Sequence, residues 1–259
     1  MSRKKATGTC RICGNTGDLS FEHVPQRAAF NDKPVIRVKF EDAIALGPEE
    51  ITKGEIQQRG LGGYTLCPKC NNLTGHLYGS QFVDWCYQAM QILNKWKGEP
   101  SLIHRYKIFP LAILKQIMTM FFSVNPVEFR EANPELVRFV LNRDIKYLPP
   151  KYGFLIYYNI GGKFRFDGIM VLGNLLGKIA LVSEITYPPF GYLMTINSEP
   201  PDDRLYEITY FSRYNYNESK TLELKLPVLP TYTVYPGDYR TKKEIYEQAA
   251  TSLQHLTNV

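Results

Sequence analysis

The stretches Cys10-Arg11-Ile12-Cys13 and Cys67-Pro68-Lys69-Cys70 contain four of the five cysteines in this 259-residue chain. Each stretch has the Cys-x-x-Cys spacing in which a tight turn presents two sulfur atoms to one ion. Two such pairs supply the four thiolates that a tetrahedral structural zinc requires. The sequence therefore predicts a zinc site that joins two distant segments of the chain.

Residues 1–80 are expected to form a small module around this zinc. The spacing predicts Cys10 and Cys13 on a short hairpin, and Cys67 and Cys70 at the start of a helix, which is a treble-clef arrangement. From about residue 8 to residue 80 the segment is rich in glycine, asparagine and polar turns, with few long apolar periods. Because such a segment buries little apolar surface, its folding is expected to depend on the metal.

Residues 81–259 are expected to form a second unit that begins with helices. Phe82, Trp85 and Cys86 recur at helical spacing, which predicts an amphipathic helix with Cys86 on its apolar face. This helix is expected to end near Gly98, and further helices are predicted over Leu111–Val124 and from Asn133-Pro134, all within the range of about 81–143.

A sheet is predicted after these helices, between about 152 and 226, because short runs there are rich in aromatic and β-branched residues. The predicted strands are Phe154–Tyr158, Phe164–Val171, Ile179–Ile185, Tyr192–Ile196, Glu207–Phe211 and Leu222–Leu226. The proline-rich run Pro227–Pro236 is interpreted as an extended linker or edge segment. A C-terminal helix is predicted over about 241–256, with Thr241 as its cap. The predicted fold class is α+β, in which a zinc module precedes a helix-then-antiparallel-sheet domain.

Composition and charge indicate a soluble protein. Hydrophobic residues make up 44% of the chain, and its formal net charge of +6 permits contact with nucleic acid without requiring it. The sequence lacks a run of about 18 apolar residues, and no apolar leader follows the basic N-terminus, so no membrane partner is expected. Cysteines in metal-ligand spacing fit a reducing compartment, which predicts a cytoplasmic location.

Two groups of polar residues near the cysteines are not needed for a structural zinc. With the cysteine pairs, Ser20-Phe21-Glu22-His23-Val24-Pro25 and Leu66-Cys67-x-x-Cys70-Asn71-Asn72 resemble the HNH endonucleases, in particular the four-cysteine, zinc-stapled branch of the ββα-metal nucleases. The resemblance covers about the first 80 residues and implies a ββα-metal-like fold for them. It leaves residues 81–259 without an assigned role.

The resemblance implies a metal-dependent hydrolysis of DNA. His23 would be the general base, and Glu22 and Asn71 would hold one catalytic Mg²⁺ or Mn²⁺, separate from the structural zinc. By analogy with compact nucleases fused to other domains, a restriction or phage-defence effector is expected. Residues 81–259 would then recognise the target, a protein partner or a second copy of the chain.

The sequence also departs from the family pattern and leaves alternatives open. Gly60-Leu61-Gly62-Gly63-Tyr64 occupies the place of the middle Asn, which braces the loop in the family. Asn72 and His76 share a helical face and form an alternative metal-binding set with Glu22. Glu22 could instead pair with Arg11 or Arg27, and His23 could be a packed structural residue.

Two other function classes remain open. The first is a non-catalytic treble-clef module that binds nucleic acid or protein and uses zinc only for shape. In the second, the aromatic-rich sheet, in a chain with 18 tyrosines, is itself a ligand-binding domain.

Overall fold

The computed structural model describes residues 6–38, 54–173 and 179–257. In the N-terminal part, short strands form three antiparallel pairs, β1 with β2, β3 with β6 and β4 with β5. Their bounds are β1 Thr7–Thr9, β2 Thr16–Asp18, β3 Ser20–His23, β4 Val35–Arg37, β5 Glu55–Gln57 and β6 Gly62–Leu66. The β1–β2 hairpin carries the first cysteine pair in its turn, and a helix follows β6 directly. Both features were predicted from the spacing.

Helices make up the central part of the chain and its C-terminal end. Their bounds are α1 Pro68–Thr74, α2 Ser80–Leu93, α3 Pro110–Val124, α4 Val127–Ala132, α5 Pro134–Leu141 and α6 Lys242–Thr257. A π-helical turn, Gly75–Gly79, joins α1 to α2. The backbone N–H of Glu244 donates to Thr241 Oγ1 while the backbone N–H of Thr241 donates to the Glu244 carboxylate, so Thr241 caps α6 as predicted.

A seven-stranded sheet forms the rest of the fold. Its strands are β7 Ser101–Ile108, β8 Tyr152–Gly162, β9 Phe166–Gly173, β10 Ile179–Tyr187, β11 Phe190–Ile196, β12 Tyr206–Glu207 and β13 Lys220–Thr231. The order is β7-β13-β8-β11-β10-β9, with β12 also beside β8. The α+β class is therefore confirmed for the described residues.

The sheet differs from the prediction in its pairing and in two elements. The β8–β13 pair is parallel, so the sheet is not purely antiparallel. Strand β7 lies between the first two predicted helices, where no strand was predicted. Of the predicted strand Glu207–Phe211, only Glu207 belongs to a strand, and a 3₁₀ turn over Thr209–Arg213 replaces the rest.

The proline-rich run is also placed differently, because β13 continues through it to Thr231 in the interior of the sheet. Pro227 is the last residue paired with β7, and Val228 is the first paired with β8. Pro230 lies at the register irregularity between Leu229 and Thr231. A proline lacks the N–H that a ladder needs, so these prolines are tolerated where the strand changes partner and where its register shifts.

The N-terminal strands share a core with the helices and the sheet. Ile12, Val24 and Leu66 belong to the same cluster of buried side chains as Phe82 and Phe121. Every residue of α3 from Pro110 to Ser123 is buried, which places this helix at the centre of the molecule. The segment of residues 1–80 therefore does not rely on a metal alone for its packing.

Lys115 of α3 is fully buried, and its ammonium group donates to three backbone carbonyls, those of Phe139, Asn142 and Ile145. It also lies over the Phe139 ring, 3.9 Å from the centroid. A helix leaves its last carbonyls without partners in the helix itself, and α5 ends at Leu141. Lys115 thus satisfies the C-terminal end of α5 and the turn after it.

We expect Lys115→Met to lower the stability by about 3 kcal/mol, because three buried carbonyls lose a charged donor. For a chain of this size the melting temperature should fall by roughly 6–12 °C, as measured by circular dichroism. Lys225→Met, on an exposed position of β13, is the matched control and should melt like the wild type. Equal melting temperatures for the two variants would contradict the role assigned to Lys115.

Candidate functional site

The four cysteines predicted to bind zinc lie together. The sulfur atoms of Cys10, Cys13, Cys67 and Cys70 all lie within 4.8 Å of one another, and those of Cys13 and Cys67 are 3.8 Å apart. Tetrahedral zinc with Zn–S bonds of about 2.3 Å places its sulfur ligands about 3.8 Å apart. The four thiols are therefore placed to hold one metal ion, and their geometry fits zinc.

The backbone builds each pair of ligands locally. The N–H of Cys10 donates to the carbonyl of Asn15, and the N–H of Gly14 donates to the carbonyl of Cys10. Gly14 has a φ of 79°, a left-handed conformation that glycine adopts without strain. A hydrogen bond from Cys70 lowers the pKa of Cys10 well below its usual value, which favours the thiolate that a metal requires.

Two arginines attach the first cysteine pair to the central helices. Arg11 Nη1 donates to the carbonyl of Ser123 in α3 at 2.6 Å. Arg130 of α4 donates to the carbonyls of Ile12 and Cys13 at 3.1 and 3.4 Å. The metal site is therefore anchored to the part of the chain beyond residue 80.

His23 is the last residue of β3, where it pairs with Gly62 of β6. Its ring is half-buried and makes an edge contact with Phe21 at a centroid distance of 5.0 Å. Burial lowers the pKa of His23, a hydrogen bond with the backbone of Arg59 opposes the shift, and the charges of Arg27 and Arg59 lower it further. The imidazole is thus held in its neutral form beside two exposed guanidinium groups.

A polar cavity of about 150 Å³ opens beside His23. His23 and Glu22 of β3, Asn71 of α1 and Gln116 of α3 all line it, together with Arg27 and Thr74. Asn71 Nδ2 donates to Ser20 Oγ at 3.0 Å, which ties the start of α1 to β3. The structure therefore brings together His23 and Asn71, the predicted base and the predicted helix ligand.

The alternative helix ligands lie elsewhere. Asn72 and His76 are both exposed, and neither lines the cavity beside His23. Asn71 is the asparagine of the doublet that faces the cavity, because α1 turns Asn72 to another side.

Glu22, which the sequence predicts as a magnesium ligand, lines the same cavity as His23 and Asn71. Its carboxylate is buried and accepts a hydrogen bond from Ser123 Oγ, which in turn accepts one from Thr65 at 3.1 Å. Burial raises the pKa of Glu22 to about 8, although the bond from Ser123 acts in the opposite direction. Glu22 is therefore part of the lining of the His23 cavity and is also attached to α3 through Ser123.

Asn31 connects two parts of the chain between β3 and β6. Asn31 is fully buried, and its Nδ2 donates to the carbonyls of Pro25 and Leu61, both at 2.7 Å. The N–H of Leu61 donates back to Asn31 Oδ1 at 2.8 Å. These three bonds connect the segment that follows His23 to the segment that precedes β6. No motif spacing pointed to Asn31.

Gln116 is a second residue that the sequence did not indicate. Only 2% of it is exposed, and its Oε1 has no hydrogen-bond partner among the described residues. Its position in an apolar helix predicted a buried residue, but nothing local connected it to His23.

A larger cavity of about 560 Å³ lies beside β8 and β11, at the side of the turn over residues 197–200. Its lining includes Lys151, Thr195 and Glu207 but no histidine, so it lacks the imidazole found at the His23 cavity.

No protein-family profile matches the chain, no curated protein matches its sequence, and no solved structure matches its fold. No helix in the described ranges 6–38, 54–173 and 179–257 is long and apolar enough to cross a bilayer. The resemblance to HNH endonucleases therefore rests on the motif residues alone.

We expect the purified protein to hold one zinc per chain, and Cys67→Ser to lose it, because three thiolates bind zinc far less well than four. Metal content and melting temperature should fall together in this variant. The control is Cys86→Ala, at a buried cysteine outside the cluster, which should keep its zinc. A full equivalent of zinc in Cys67→Ser would refute the assignment.

Proposed function

We propose that this protein is a metal-dependent endonuclease that hydrolyses DNA, with its reactive centre at the His23 cavity. The observation that carries the proposal is the position of His23 in one cavity with Asn71, the residue directly after the last cysteine of the metal cluster. A structural zinc bound by the four cysteines would keep β3, β6 and α1 in register as a treble-clef module.

His23 would act as the general base that takes a proton from the attacking water. An imidazole suits this step because it titrates near neutrality, and a lowered pKa favours the unprotonated form that can accept a proton. The hydrogen bond with the backbone of Arg59 holds one ring nitrogen, and the other remains available for the water proton.

Arg27 and Arg59 would attract and position the phosphodiester. Both are exposed, and both lie near enough to His23 for their charges to influence its pKa. Guanidinium groups pair with phosphate oxygens in fork-like geometry, and charges at the rim of a cavity attract a polyanion such as DNA.

The donor chemistry of the cavity fits a hard divalent cation. Mg²⁺ or Mn²⁺ prefers amide and carboxylate oxygens, and Asn71 would supply one of them. When bound, such a cation would stabilise negative charge on the phosphate and its leaving group. Glu22 lines the same cavity while its carboxylate accepts a hydrogen bond from Ser123, and it would supply a carboxylate oxygen to the cation, as the resemblance implies.

The alternative is a zinc module that binds nucleic acid without cutting it. The exposed arginines would serve such a module equally well, but a half-buried histidine in a cavity with Asn71 has no function in simple binding.

We expect plasmid cleavage with Mg²⁺ or Mn²⁺, and a loss of about 10²–10⁴-fold in rate for His23→Ala, as is typical when a general base is removed. His104→Ala, at an exposed histidine of β7, is the matched control and should cut like the wild type. Zinc content and melting temperature should not change in either variant. If the wild type binds DNA without cutting it, the non-catalytic module is favoured. If His23→Ala and His104→Ala cut at the same rate, His23 is not the general base.

Arg27→Gln and Arg59→Gln should each weaken DNA binding and reduce the slope of log affinity against log salt by about 1, because each loses one phosphate contact. Fluorescence anisotropy at several salt concentrations measures this. Arg105→Gln, on β7 and paired with Glu223, should keep the wild-type slope. An unchanged slope in Arg27→Gln and Arg59→Gln would show that DNA phosphates do not contact these two arginines.

A further inference from the structure

Helix α3 buries four polar side chains that have to be satisfied inside the protein. Lys115 donates to the carbonyls after α5, Thr119 donates to the carbonyl of Lys115, and Ser123 donates to Glu22. Gln116 is the exception, since its Oε1 has no hydrogen-bond partner in the part of the chain that the structure describes. A buried acceptor left unpaired costs about 1–3 kcal/mol, so this oxygen is expected to have a ligand.

The cavity identifies the kind of ligand. Gln116 lines it together with Asn71 and His23, and its oxygen can accept a hydrogen bond or bind a cation but cannot donate. Its volume of about 150 Å³ is well below the roughly 300–1,000 Å³ of clefts that enclose drug-sized molecules. A nucleotide does not fit in such a space, whereas a cation with its water molecules does.

Asn71 adds a second oxygen to the same cavity. Both of its side-chain hydrogen bonds to described residues use Nδ2 as the donor, to Ser20 Oγ and to the carbonyl of Phe21. This arrangement turns the other atom of the amide, Oδ1, away from β3. Glu22 lines the same cavity. Two amide oxygens, a carboxylate and several waters form a donor set that suits Mg²⁺ or Mn²⁺, which keep much of their water shell in proteins.

We propose that Gln116 Oε1 is a ligand of the divalent cation at the His23 cavity, together with Asn71. This inference rests on the proposed function and adds to it a residue from outside the first 80. The cation site is then shared between α1, which follows the metal-binding cysteines, and α3, which lies at the centre of the whole fold. Residues 81–259 complete the reactive centre in addition to any role in recognition.

The test is Mn²⁺ binding to the full-length, zinc-loaded protein without nucleic acid, measured by electron paramagnetic resonance of the free ion. Gln116→Leu keeps the buried volume but removes the oxygen, and should weaken Mn²⁺ binding at least about tenfold. Gln116→Glu adds a charged oxygen at the same place and should tighten it several-fold. Thr119→Val, also buried in α3 but outside the cavity, should bind Mn²⁺ like the wild type.

Unchanged Mn²⁺ affinity in Gln116→Leu, equal weakening in Thr119→Val, or no Mn²⁺ binding by the wild type would each overturn the inference. If Gln116→Leu does not fold, Gln116→Glu is the test. Tighter Mn²⁺ binding by Gln116→Glu would support the proposal, and unchanged or weaker binding would contradict it. The two proposals fail separately. If the protein cuts plasmid DNA but Gln116→Leu binds Mn²⁺ like the wild type, the nuclease proposal stands and Gln116 is not a ligand. If Mn²⁺ binding depends on Gln116 but no DNA is cut, Gln116 is a ligand and the nuclease proposal fails.

Discussion

The complete burial of α3 is the constraint on which the other parts of the molecule depend. A helix buried from Pro110 to Ser123 cannot use bulk water to satisfy its polar side chains, and two of these side chains bond to neighbouring elements. Lys115 thereby fixes the end of α5, and Ser123 fixes Glu22 of β3. The helix thus connects the sheet-bearing part of the chain to the strands around the cysteine cluster.

The cysteine cluster is part of this packing. Arg11 bonds to the backbone of α3, and Arg130 of α4 bonds to the turn between the first two cysteines. Ile12 and Leu66, close to the cysteines, pack in the main core. A metal at the four thiols would therefore stabilise an arrangement that apolar burial already favours, in contrast to small zinc modules whose whole folding free energy comes from the metal.

The polar residues at His23 show that a structural role can be filled from different places in a chain. Asn31 braces the loop with three hydrogen bonds, although the place where the family pattern has its middle asparagine holds glycines. The backbone groups of this loop require two hydrogen-bond donors and one acceptor at one position in space. A side-chain amide from any segment that reaches this position can provide them. Glu22, by contrast, lies at the expected sequence position and lines the His23 cavity while it accepts a hydrogen bond from Ser123 of α3.

The sequence by itself determined the features that depend on short spacings: the two cysteine pairs, the hairpin and helix that carry them, the helix cap at Thr241 and the α+β class. It also selected His23 and Asn71, which the fold places in one cavity. Only the tertiary structure decided the parallel pairing of β13, the burial of Glu22 on Ser123 and the presence of Gln116 beside His23. Glu22 and Ser123 are 101 residues apart, and contacts over such distances depend on how whole elements pack, which no local pattern records.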